Sequence, residues 1–105
     1  MPVEIITTDA DTDASWTIPP RSVKESAYRV VHRPNGRWVA QATSYARFGE
    51  GGEWFTPFVS VLSPDEVCTA LVRRMATQIK DKAYLNEVAV AITHATGAPP
   101  PASDR

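Results

Sequence analysis

Cysteine is nearly missing: Cys68 is the only one in 105 residues. A lone thiol forms no internal disulfide, and such usage fits a reducing, cytoplasmic setting. Histidine is almost as scarce. His32 and His94 lie far apart, with no Cys-x-x-Cys or His-x-x-x-His spacing, so the three or four convergent ligands of a metal site are not in view. No metal and no other cofactor is expected. No apolar run approaches the ~20 residues that cross a bilayer, and Met1-Pro2-Val3-Glu4 has neither part of a secretion signal. No membrane association is expected.

Catalytic signatures are missing too. Gly49, Gly51 and Gly52 lack the Gly-Lys-Ser/Thr of a phosphate cradle, and Glu50 and Glu53 would repel phosphate. Cys68 sits on an apolar stripe with no histidine near it in sequence, as a small core residue would. The carboxylate pairs Asp65/Glu66 and Asp9/Asp11 are accounted for by a helix dipole and a solvated tail. Nothing assembles an acid, a base and an oxyanion site, so the chain is not expected to be an enzyme.

What is present is one domain's worth of ordinary globular sequence, 43% apolar and 22% charged. The net charge of −1 is unevenly spread. Residues 1–20 carry four acidic side chains and no basic one. Residues 21–47 carry Arg21, Lys24, Arg29, Arg33, Arg37 and Arg47 against Glu25 alone. Residues 48–105 are mildly acidic again. Such a basic segment beside an acidic arm bears on partners rather than on fold.

Residues 1–26 read as an acidic, partly extended arm. Val3, Ile5 and Ile6 suit a short edge strand, Thr7 to Ser15 offers little apolar surface, and Trp16 and Ile18 can dock. Residues 97–105 read as a flexible Pro-rich tail. Between them, residues 27–96 form the expected domain. Asn35-Gly36 between β-formers predicts a two-residue type I′ hairpin turn. That turn pairs Arg33 with Trp38, His32 with Val39, Val31 with Ala40 and Val30 with Gln41. One face then carries Arg29, Val31, Arg33, Trp38, Ala40 and Ala42, the other Tyr28, Val30, His32, Val39, Gln41 and Thr43. Neither is cleanly apolar. A third strand is predicted through residues 54–62, at an edge because Pro57 lacks an N–H, with Gly49–Glu53 as a flexible hairpin loop.

Ser63, Pro64 and Glu66 predict a capped helix start, with Leu62 and Val67 as a hydrophobic staple. Val67, Cys68, Leu71, Val72, Met75 and Ile79 fall on one helical stripe, and Arg73, Arg74, Gln78, Lys80 and Asp81 fall outside it. Tyr84 to Thr96 fits a strand through Val88, Val90 and Ile92, or a helix through Leu85, Val88, Ile92 and Ala95. Gly97 and Pro99 favour the helix.

Two surfaces offer binding chemistry. Arg29, Arg33 and Arg37, with Arg47 on the returning segment, would line one flank of the hairpin with forked donors suited to phosphate, unless they merely blunt a sheet edge. Tyr45, Phe48, Trp54, Phe55 and Phe58 bracket the glycine loop, either as packing or, where exposed, as a protein-binding hot spot.

Tyr28-Arg29-Val30-Val31-His32 followed by Arg33-Pro34-Asn35-Gly36-Arg37-Trp38-Val39-Ala40 resembles the first hairpin of the AP2-type DNA-binding domain. The order strand, strand, strand, capped helix is similar to that family and to the arm-binding domains of tyrosine recombinases. The resemblance covers about thirteen residues. It implies that Arg29, Arg33, Arg37 and Trp38 face a duplex.

The sequence therefore predicts an α+β fold: a three-stranded antiparallel meander on one long amphipathic helix, with a possible second C-terminal helix. The expected role is non-catalytic binding of a macromolecular partner, a protein ahead of nucleic acid, with DNA binding by the basic hairpin as the alternative. The candidate binding residues are Arg29, Arg33, Arg37, Trp38, Arg47 and Trp54.

Overall fold

The computed structural model describes residues 3–9, 14–51, 54 and 57–97. In chain order the elements are β1 (Ile6–Asp9), β2 (Ala14–Ile18), β3 (Ala27–His32), β4 (Trp38–Thr43), α1 (Tyr45–Glu50), β5 (Val59–Val61), α2 (Pro64–Ala76) and α3 (Lys82–Thr96). The strands form one antiparallel sheet in the order β1-β2-β3-β4-β5. Helix α2 lies across β3, β4 and β5, while α3 packs on α2 and reaches β2. The α+β class is as expected, but among the described residues the meander has five strands instead of three and two long helices cover it.

The extra strands come from the segment read as an arm. β2 pairs with β3 along its length, Trp16 opposite Val30 and Ile18 opposite Tyr28. Ile18 is 1% exposed. The boundary at residue 26 is therefore corrected: residues 14–26 belong to the domain, and β1 extends it by pairing with β2. Composition misleads here because a strand secures its backbone hydrogen bonds from its neighbour. Trp16 and Ile18, two residues apart, are enough to hold one face of β2 on the core. Asp11 and Asp13, and the tail beyond Gly97, lie outside the described residues.

The hairpin exists, but its turn differs from the expected one. Gly36 N–H donates to Arg33 O at 2.9 Å, and Arg33 N–H to Arg37 O at 2.8 Å. This is a type I turn over Arg33–Gly36, closed by Gly36 at φ 88°. Pro34 presets the first central residue of that turn, and no non-glycine among the described residues has positive φ, so Asn35 does not adopt the type I′ shape. The loop has three residues, and the register moves by one: His32 faces Trp38, Val31 faces Val39, Val30 faces Ala40 and Arg29 faces Gln41. A one-residue slip exchanges the two faces of a strand. Tyr28, Val30, His32, Trp38, Ala40 and Ala42 now share one largely apolar face, and that face carries the helices.

The predicted glycine loop is also corrected. Ser44 Oγ accepts from Arg47 N–H at 3.2 Å and starts α1, which ends at Gly51 in the left-handed conformation, φ 72°. Strand β5 is shorter than its aromatic run suggested, three residues at the sheet edge, and Pro57 falls two residues before it. Residues 52, 53, 55 and 56 lie outside the described residues.

α2 begins at Pro64, but the Ser63 hydroxyl donates to the Asp65 and Glu66 carboxylates, at 2.7 and 3.0 Å, and caps no backbone N–H. Leu62 is 69% exposed, so the expected staple on Val67 is absent. The stripe itself is buried through Val67, Cys68, Leu71, Met75 and Ile79. The ambiguous segment is helix α3. Asp81 accepts from Tyr84 N–H, Gly97 closes the end at φ 77°, and Leu85, Val88 and Ile92 enter the core.

The link from β2 to β3 is clasped onto the turn between the helices. Arg21 donates to Glu25 at 2.6 Å and to Asp81 at 3.2 Å, and lies 3.7 Å from the Tyr84 ring centroid. Burial pushes the Glu25 carboxyl up, but hydrogen bonds from Arg21 outweigh that and hold it below its ordinary value. Ser26 N–H and the Tyr28 hydroxyl both donate to Gln78 Oε1.

Candidate interaction surface

The register places the six candidate residues in different surroundings. Trp38 lies on the helix-covered face, 8% exposed, stacked on His32 at 4.0 Å and on Trp16 at 5.7 Å between ring centroids. Arg29 lies on the opposite face, half-buried. Its Nε donates to Gln41 Oε1 at 2.7 Å, and its guanidinium stands 4.4 Å from the Trp54 ring centroid. Arg33 is half-exposed at the turn, and Arg47 is exposed on α1. Trp38 leaves the expected flank, because the three-residue loop turns it to the helix-covered face, while Arg29, Arg33 and Arg37 alternate onto the opposite face.

Arg37 has a structural task. Arg33 N–H bonds Arg37 O, so Arg37 turns its backbone toward β3. Antiparallel alternation then turns Trp38 and Ala40 toward β5 and leaves the Ser60 carbonyl pointing to the open edge. Arg37 Nη2 donates to that carbonyl at 3.0 Å, and Nε to Ser60 Oγ at 2.7 Å. The guanidinium thus occupies the outward acceptor of an edge strand, one of the ways sheets resist edge-to-edge pairing. Arg37→Ala should leave the melting temperature within a few degrees but increase concentration-dependent light scattering at neutral pH. Unchanged scattering would show that the edge needs no guard.

A different set of side chains is brought together on the sheet face away from α2 and α3. Phe48 and Trp54 meet edge to face, with centroids 6.3 Å apart and an interplanar angle of 79°. Arg29 supports the Trp54 ring and is itself fixed by Gln41. Tyr45, three residues before Phe48 and so on the same side of α1, is 43% exposed. Trp54 and Phe48 are half-buried. Sequence reading named Trp54, Arg29 and Arg47 but missed the helix that presents Tyr45 and Phe48. The available signal was Ser44 as an N-cap and Gly51 as the left-handed residue beyond the last turn.

No protein-family model, curated protein or solved structure matches this chain. The surface is therefore read from its own geometry. Cys68 is 4% exposed, with Sγ 3.5 Å from Thr96 Oγ1; burial pushes its thiol up, against partial offset from Thr96. A thiol so held is mostly protonated at neutral pH and a poor nucleophile. Among the described residues no group of three or more His, Cys, Asp or Glu side chains is placed to hold a metal, and no helix is long and apolar enough to cross a membrane.

Proposed function

We propose that this protein is a small non-catalytic binding module that engages a protein partner through Tyr45, Phe48 and Trp54. The observation that carries this reading is an aromatic cluster, partly exposed and braced by Arg29, on the sheet face opposite the helix-covered core. Aromatic and arginine side chains dominate hot spots because they bury large areas at small conformational cost. Bracing by Arg29 and Gln41 lowers that cost further, since the Trp54 ring is held before a partner arrives.

The alternative, duplex DNA on the basic hairpin, fits less well. Trp38 is in the core, Arg37 is engaged with Ser60, and Arg29 with Gln41 and Trp54. A net charge of −1 is also poor for phosphate neutralisation.

Affinity capture on the immobilised protein, repeated with Trp54→Ala, tests the reading. Loss of a hot-spot tryptophan should weaken the captured complex by about 2 kcal/mol or more, roughly thirtyfold, while circular dichroism stays native. Equal retention on the variant, or steeply salt-dependent binding of duplex DNA alone, would overturn it.

A further inference from the structure

Helix α2 has a second stripe that the core does not use. Glu66, Thr69, Ala70 and Arg73 stand at i, i+3, i+4 and i+7 and so share one side of the helix. With Phe58 and Val59 they line an open cleft of about 490 Å³ between α2 and the β5 side of the sheet. Glu66, Thr69 and Arg73 are exposed and Ala70 is half-buried. Arg73 has no hydrogen-bond or ion-pair partner among the described residues. Among the described residues the Glu66 carboxylate meets only the Ser63 hydroxyl, at 3.0 Å.

From this pattern we infer that a second copy of the chain docks here, α2 against α2, around a two-fold axis passing between Thr69 and Ala70. Glu66 and Arg73 are equidistant from that point along the helix. An antiparallel second α2 therefore sets Glu66 of each helix against Arg73 of the other. A two-fold contact requires this self-complementarity of a surface patch. The small side chains at the crossing allow the close approach that packed helices need, ~8–10 Å between axes. The near-neutral chain offers little overall repulsion. Arg37 already holds the outward Ser60 carbonyl, so the helix layer carries the contact and the strand edges do not fuse. This surface is separate from the aromatic cluster, and the inference stands without it.

Charge reversal on the full chain, read by sedimentation equilibrium at low salt, tests the pairing. Arg73→Glu and Glu66→Arg should each weaken self-association about tenfold or more, since each replaces two attractions by two repulsions. The double variant Glu66→Arg/Arg73→Glu restores opposite charges and should recover it. Glu66→Arg also removes the Ser63 contact; if it fails to fold, Arg73→Glu, at an exposed position, decides alone. The inference is overturned if the unmodified chain stays monomeric up to about millimolar concentration, if Arg73→Glu associates like the parent, or if a folded double variant does not recover.

Discussion

Trp38→Ala should destabilise the fold by about 3–5 kcal/mol, the usual cost of emptying a large aromatic site in a core. Trp38 is 8% exposed, contributes to the hydrophobic core and stacks on both His32 and Trp16. Total stability for a domain of this size is about 5–15 kcal/mol. The expected loss is a large share of that, with a fall in melting temperature of roughly 15–25 °C. Thermal and urea melts followed by circular dichroism give both numbers. Trp38→Phe, which keeps a ring in the site, should lose less. A loss below about 1 kcal/mol for the alanine variant would mean that the ring faces solvent, and the observed register would then be wrong.

A contrasting pair of leucines makes the second prediction. Leu71 is 0% exposed, on the α2 stripe that packs on the sheet and on α3. Leu71→Ala should cost about 3 kcal/mol, because surrounding side chains anchored in two layers cannot collapse into the space. Leu62 is 69% exposed just ahead of the same helix, so Leu62→Ala should stay within about 0.5 kcal/mol. The same melts decide between the two. Comparable losses at both positions would mean that Leu62 does staple the helix start.

Much of the architecture is visible in residue order. The stripe from Val67 to Ile79 and the helix stop at Gly97 act through local geometry, and local geometry is what sequence encodes most directly. The hairpin shows where this stops. Asn-Gly favours a two-residue turn, yet Pro34 presets a type I turn and leaves Gly36 alone to take positive φ. That single choice decided which side of β4 is apolar. The candidate site inherited the error, since Trp38 and Arg29 shared a face only in the slipped register. Strand β2 was hidden for another reason. Its partner, not its composition, stabilises it, and pairing along β3 cannot be read from Ala14–Ile18 by themselves.

Every strand of this sheet hydrogen-bonds to its immediate neighbour in the chain. Pairing of this kind closes short loops one after another, which favours quick formation of the sheet. The covering layer comes last, however, since α2 and α3 occupy residues 64–96. During synthesis the Val30–Trp38 side of the sheet therefore stays bare until residues 64–96 have emerged. For that interval the nascent chain exposes a sticky ribbon, and its escape from aggregation depends on how soon those helices arrive.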